Sequence, residues 1–444
     1  MVRRLQVITN SELETWRTCQ TKHGFAYEEL LRPPVSALPL SAGNVLHEGI
    51  RAGWEAAWSE ADLSRDVRLA LATSAAVAGV RAEGRLQIAM IAQAGLDGAA
   101  DSSAVHEATT KLEEAIEVNS WAAVNYFHRI APELDYVPLA IEAPFRYRIP
   151  NVDGKPGIVS HAGKMDLVLY DRTANRIIVQ DHKGTGMTVT LLERKLPLDT
   201  QLSGYVANVK RLVRQKLLGL KHTTPAATAL VRSGQLREDA TIGTIAFNVI
   251  RRAIPKEPRI NLLKKGQAVH EFQKDLLRAQ DADECGPMGE VSVAECDTTA
   301  DVYASALERQ ALERGLAVTD KQREVLAKLK GKGDSFFAQL EFYRDQSEID
   351  RWRRELLADA RRIRETRREP KLRSRNPGAC SAPWSPGCAY AALCLSPDDP
   401  TVKRSFTIVD RPHQELEESY GEQQEQGQNG VGYGYGAQDA RGEW

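Results

Sequence analysis

The chain has no apolar run approaching the about 20 residues that a transmembrane helix needs, which argues against a membrane-spanning protein. The N-terminus, MVRRLQVITNSELETW, carries two arginines with no apolar core behind them, so it does not read as a secretory signal. Net charge is lacking as well. The 59 basic and 60 acidic side chains leave -1 at pH 7, so no global positive field announces a nucleic-acid partner, and any such footprint has to be local. Cysteine is scarce. Six in 444 residues without an export signal argue against a disulfide framework and leave buried thiols or metal ligands. Cytoplasmic residence is the resulting expectation. No internal repeat is found. What is present is a balance of 42% hydrophobic and 27% charged residues, that of a globular protein able to bury a core. The length suggests two or three domain-sized units.

The most informative stretch runs from Gly163 to Tyr205. It reads GKMDLVLY, then DRTANR, then IIVQDHKG, and after a gap QLSGY. Two apolar runs around a short polar segment suggest a β-hairpin. If it is symmetric about Thr173 and Ala174, Tyr170 faces Ile177 and Asp166 faces Asp181. Directly opposed residues have Cβ atoms about 5 Å apart. Two carboxylates that close repel unless a cation lies between them. Lys183 is two positions past Asp181, so both side chains leave the strand on one face. The stretch proposes a hard-metal site with an amine beside it. A surface hairpin ending in a salt bridge would carry the same doublet.

Elsewhere the helical period dominates. Residues 11 to 30 read as a helix, with Ser11 and Glu14 at capping-box spacing and Cys19 inside it. Arg32, Pro33 and Pro34 break the pattern. In SAGNVLHEGIRAGWEAAW, Leu46, Ile50, Trp54 and Trp58 form an apolar stripe, and His47 sits at its border. Residues 60 to 130 read as several helices forming an insert or lid. A strand is expected over 139–149 and a turn over Asn151–Pro156. Residues 198 to 217 read as a helix with Asp199 or Thr200 as N-cap, and Gln201 and Tyr205 share a face. A strand over 241–254 is followed by a basic run, Lys256, Arg259, Lys264 and Lys265. It suits phosphate contacts and equally a solvated loop. Residues 300 to 330 look helical, and 335 to 369 read as a strand and then a long helix starting near Ser347. That helix carries Arg351, Arg353, Arg354, Arg361, Arg362, Arg364, Arg367 and Arg368, and interleaved acids account for part of that charge.

Cys380, Cys388 and Cys394 cluster in a loop rich in proline and glycine, and Cys19 makes a fourth thiolate. Four thiolates bind an iron–sulfur cluster or a zinc, and inert buried thiols are the alternative. Cys285 and Cys296 read as bystanders. From about Glu415 to Trp444 the chain lacks a core-forming pattern and reads as disordered. Five segments result: N-terminal helices over 1–59, a helical insert over 60–135, a core with a basic helix over 136–375, the cysteine loop over 376–400 and the tail over 415–444.

The order His47, Asp166, Asp181-His182-Lys183, then Gln201-x3-Tyr205, resembles the RecB-like branch of the PD-(D/E)XK nucleases. That branch includes the nuclease domains of RecB and AddB and related CRISPR-associated exonucleases. The flanking cysteines resemble its iron–sulfur subset, and SELETWRTCQTKHGFAY and AFNVIRRAIPKEP resemble phage members. The resemblance covers most of residues 8 to 396. It implies an α/β fold with a restriction-endonuclease-like core, a central mixed sheet flanked by helices. It implies a Mg²⁺- or Mn²⁺-dependent DNA exonuclease acting in recombination, repair or phage DNA processing. In that reading Asp166, Asp181, His47 and the His182 carbonyl bind the metal, Lys183 assists water attack, and Gln201 and Tyr205 hold the substrate backbone or Lys183. Cys19, Cys380, Cys388 and Cys394 hold a [4Fe–4S] cluster, with zinc as the alternative. The partners implied are single-stranded or end-bearing duplex DNA and a recombination or helicase protein. Glu142 is a further acid to which spacing assigns no role. The first C-terminal cysteine gap is stretched relative to relatives, and Met165 stands where the family name has proline. Other readings are a CRISPR spacer-processing nuclease, a non-catalytic DNA-end-binding module and a zinc-stabilised interaction protein.

Overall fold

The computed structural model describes residues 6–33, 38–96, 102–151, 157–186, 189, 192, 195–214, 225–237, 239–256, 298–314, 318, 320–332, 334–380, 387–413 and 416. Arg259, Lys264, Lys265, Cys285, Cys296, most of the 151–156 turn and all of the tail but Leu416 lie outside them. The chain forms two compact units. The first comprises 1–182, 196–247 and 341–444, and the second 183–195 and 248–340.

The first unit opens with β1 (Gln6–Thr9) and α1 (Asn10–Thr18). Its cap is Thr9, whose hydroxyl accepts the Glu12 N–H at 3.1 Å, and not Ser11, because Thr9 has the extended backbone an N-cap requires. The single helix expected over 11–30 is also corrected. Cys19 is extended and divides α1 from α2 (Gln20–His23) and a π-helical turn at Gly24–Glu28. After β2 (Leu31–Arg32) comes α3 (Leu38–Ala57). The stripe Leu46, Ile50, Trp54 and Trp58 is buried, as its spacing requires. The helical segment resolves into α4 (Arg65–Leu96) and α5 (Ser102–Arg129), both packed on α3.

The sheet is built from β3 (Val137–Ile149), β4 (Val159–Asp171), β5 (Arg176–Thr185), β6 (Thr241–Arg251) and β7 (Phe337–Tyr343), in the order β1-β4-β5-β6-β7 with β3 also on β4. It is mixed, because β1 is parallel to β4 while β3 and β5 are antiparallel to it. β3 takes one edge of β4 along nearly its whole length, so β1 and β5 share the other, at residues 159–162 and 167–171. Strands covered on both faces read as near-continuous apolar runs, and LVLY and IIV do so.

Two helices pack together in one layer: α6 (Gln201–Arg214) and, after the short α7 (Pro225–Arg232) and the second unit, a long helix over Gln346–Arg368. The second unit contains α8 (Ala300–Arg314) and α9 (Asp320–Lys332), joined through Tyr303, Ala306, Leu307, Val325 and Leu329. Its strand segments are held by the Arg252 N–H on the Thr185 carbonyl and the Arg251 N–H on the Phe336 carbonyl.

Back in the first unit, α10 (Gln346–Arg368) begins on a capping box between Asp345 and Glu348. It buries Ile349, Trp352, Leu356, Ala360 and Ile363, and its arginines ring the remaining surface. Trp352 and His161 meet edge to face, and both crowd Gly204 of α6. A Cβ there would lie 2.6 Å from the His161 ring and 2.8 Å from Trp352, so only glycine lets α6 approach so closely. The chain ends in the short helices α11 (Pro377–Cys380), α12 (Ala391–Leu395) and α13 (Pro400–Arg404) and in β8 (Thr407–Ile408), which pairs with β2.

The two ends of the first unit are also joined by buried charges. Glu12 accepts from His23 Nε2 at 3.0 Å and from His413 Nε2 at 2.9 Å. Glu28 accepts from Arg373 Nη2 at 2.6 Å and stands 3.4 Å from His23 Nδ1. No described helix is long and apolar enough to cross a membrane.

Candidate metal centre

The hairpin forms with the register expected. Tyr170 pairs with Ile177 and Leu167 with Gln180, so one further step sets Asp166 opposite Asp181. The turn is fixed by Asp171, whose carboxylate accepts the Thr173 and Ala174 N–H groups at 3.0 Å each, and by Asn175 at φ 49°. On the other edge of β4, Ile141 pairs with Leu167 and Ala143 with Met165, which sets Glu142 across from Asp166. Glu142 has φ 45°, an uncommon conformation for a residue with a side chain. The acid that spacing could not assign therefore lies beside Asp166 in the candidate site.

His47, on α3, completes the group. Its Nδ1 lies 3.4 Å from Glu142 Oε1 and 3.5 Å from Asp166 Oδ2. Ligand atoms of His47, Glu142 and Asp166 lie within 4.8 Å of one another, the one such set among the described residues. Two carboxylates and an imidazole suit a hard divalent cation, and the imidazole favours Mn²⁺ over Mg²⁺. The electrostatics agree. Burial alone would lower the His47 pKa, but the charges of Asp166, Glu142 and Asp181 overcome it and raise it to about 9. Burial likewise opposes ionisation of Asp166, yet His47 and the His182 hydrogen bonds hold its carboxyl below the usual range. The buried acids thus favour positive charge in the pocket.

The remaining predicted residues fall around this core. Asp181 is buried, and its Oδ1 accepts from Gln201 Nε2 at 3.2 Å; the same amide reaches the Tyr205 hydroxyl at 2.6 Å. Burial, with the charges of Asp166 and Asp181, pushes the Tyr205 phenol up and keeps it neutral. The His182 backbone N–H donates to Asp166 Oδ2 at 2.8 Å. Its ring bonds the Tyr126 hydroxyl at 2.9 Å, and Trp54 Nε1 donates to that same hydroxyl at 3.0 Å. The His182 side chain therefore faces the helical layer. Lys183 stands two residues past Asp181 on β5, at the start of the second unit. Lys164 was missed: its Nζ is 2.8 Å from Glu142 Oε2. Its spacing of two before Asp166 was a visible signal. Tyr126 left none, since its role depends on how α5 packs.

Cys19, Cys380, Cys388 and Cys394 are each half-buried. Desolvation and the charges of Cys388, Cys19 and Cys394 raise the Cys380 thiol, so the four share a neighbourhood. Cys388 and Cys394 pack against Phe25, Ala26, Leu31, Tyr390 and Leu393. Among the described residues the four sulfurs do not form a set spaced to hold a metal.

The comparisons with known proteins bear on this geometry. No curated protein matches the chain. A family model, that of the PD-(D/E)XK nuclease superfamily, matches residues 7–395. Its extent, over nearly the whole chain, and the acidic site on a mixed sheet agree, and the chain belongs to the PD-(D/E)XK nuclease superfamily.

Proposed function

We propose that this protein is a DNA exonuclease of the RecB-like branch, acting on ends in recombination, repair or phage DNA processing. The family itself is one of metal-dependent nucleases that hydrolyse phosphodiesters. The observation that carries the reading is the convergence of His47, Glu142 and Asp166 from three separate elements. Support for the branch comes from motif order, with Gln201 and Tyr205 following the Asp181-His182-Lys183 run.

In this reading Asp166, Asp181, Glu142 and His47 hold Mg²⁺ or Mn²⁺, and the His182 carbonyl is a further donor. The cation, when bound, neutralises the scissile phosphate and acidifies the attacking water. Gln201 fixes the rotamer of Asp181 through its amide. Tyr205, kept neutral, anchors that amide from one turn further along α6. Tyr126 and Trp54 lock the His182 ring, which keeps the backbone beside Asp166 in place. Lys183 leaves β5 on the same face as Asp181 and supplies positive charge to the phosphate as negative charge builds on it.

Incubation of end-labelled single- and double-stranded DNA with Mn²⁺ tests this. Wild type is expected to shorten the DNA from its ends, and Lys183→Ala to be slower by about 10²- to 10³-fold. Equal rates would remove Lys183 from the mechanism, and no degradation by either protein would favour a DNA-end-binding module.

A finer part of the proposal gives Cys19, Cys380, Cys388 and Cys394 a [4Fe–4S] cluster with a structural role, zinc being the alternative. Its support is the sequence pattern, with Cys19 before the core and Cys380, Cys388 and Cys394 after it. Anaerobically purified protein is expected to show sulfur-to-iron charge-transfer absorbance in the visible. A colourless protein containing zinc would replace iron with zinc.

A further inference from the structure

A cavity of about 460 Å³ opens between α1, the C-terminal half of α10 and the segment 374–376. Its charged lining is Arg17, Arg362 and Arg375 against a single carboxylate, Asp359. Asp359 is already engaged: Arg17 Nε donates to it at 2.8 Å, and Arg362 lies 3.8 Å away. Arg375 has no ion-pair partner among the described residues. Three guanidinium groups facing one carboxylate give the described lining a net of two positive charges, with Cys19, which also lines it, counted as a neutral thiol.

The cavity is linked to the acidic site through one short path. Arg17 Nη1 donates to Thr200 Oγ1 at 3.3 Å. Thr200 immediately precedes Gln201, whose amide holds Asp181. A DNA strand carries one phosphate per about 3.4 Å of helix axis, so a strand with one phosphate at the acidic site must place others close by. The carboxylates of Asp166, Asp181 and Glu142 repel those neighbours, and a cationic surface beside them is what a bound strand requires. Guanidinium forks match phosphate oxygens in geometry as well as charge.

We infer that the cavity lined by Arg17, Arg362 and Arg375 holds backbone phosphates of the DNA strand whose neighbouring phosphodiester lies at the acidic site. This rests on the nuclease reading for the identity of the polyanion. Arg17 also ties α1 to α10, so Arg362 and Arg375, both exposed, are the residues to change.

The test is the salt dependence of oligonucleotide binding, measured by fluorescence anisotropy in EDTA so that no cleavage intervenes. The Arg362→Ala/Arg375→Ala protein is expected to bind more weakly, with the log–log salt slope smaller by about 1.4 on single strands and about 1.8 on duplex. The Arg362→Lys/Arg375→Lys protein, which keeps the charge, is expected to retain the wild-type slope. A slope unchanged in the alanine variant overturns the inference, and so does a lysine variant as deficient as the alanine one. Wild-type cleavage in Mn²⁺ is scored separately and reports on the nuclease reading alone.

Discussion

Glu142 combines two properties that seldom coincide. Its backbone has φ 45°, and its carboxylate faces both His47 and Lys164. A non-glycine residue held there costs on the order of 1 kcal/mol or more, and such residues gather at functional sites. The strain and the ligand can be separated. Glu142→Gly and Glu142→Ala are both expected to lose Mn²⁺ binding by calorimetry, while the glycine variant unfolds about 1 kcal/mol later than the alanine one in denaturant. Identical unfolding of the two would mean the backbone relaxes freely. Asp166 and Asp181 could be read from the sequence because a hairpin carries its own register. Glu142 could not, since its pairing depends on how β3 meets β4 across a connection whose length fixes nothing. At His47, His47→Ala is expected to weaken Mn²⁺ binding more than Mg²⁺ binding, measured by competition, because an imidazole is the softer donor.

Elements position these residues through close contacts. α6 carries Gln201 at its first turn and reaches β4 only because Gly204 leaves room for His161 and Trp352. Burial depresses the His161 pKa to about 3, so the ring stays neutral and packs as an aromatic plate. Gly204→Ala is expected to destabilise the fold by about 1–3 kcal/mol through overpacking. It also shifts Gln201 from Asp181, read as a fall in kcat larger than the change in KM. The amphipathic stripe of α3 was legible because burial enforces its period. The break at Cys19 was not, because no proline or glycine marks it and the flanking segments are each helical in pattern. α10 starts at Gln346, one residue before the Ser347 expected from the sequence, and Asp345→Ala at its cap is expected to cost about 1 kcal/mol in denaturant unfolding.

Across the whole chain, the mixed sheet flanked by helices follows from strands separated by long helical runs, a pattern open to sequence reading. The closure of the first unit by charge was not open to it. Burial alone would lower the His23 pKa, but Glu12 and Glu28 raise it, while Glu12 is lowered in turn by His23 and His413. A raised histidine contributes stability that is complete below its unfolded value of about 6.5 and is lost as pH rises through the folded value. The lowered Glu12 works in the other direction, and its share is lost only in acid. Melting temperature is therefore expected to fall as pH is raised from 6.5, and His23→Gln to flatten that dependence. A wild type whose melting is level over this range would show that the pair binds no extra proton in the native state.

The same closure constrains how the protein is made. Glu12 and Glu28 leave the ribosome hundreds of residues before Arg373 and His413. Until then these acids have His23 beside them but neither of their distant counterparts. Native burial of those acids waits until Arg373 and His413 have been made, and water solvates them meanwhile.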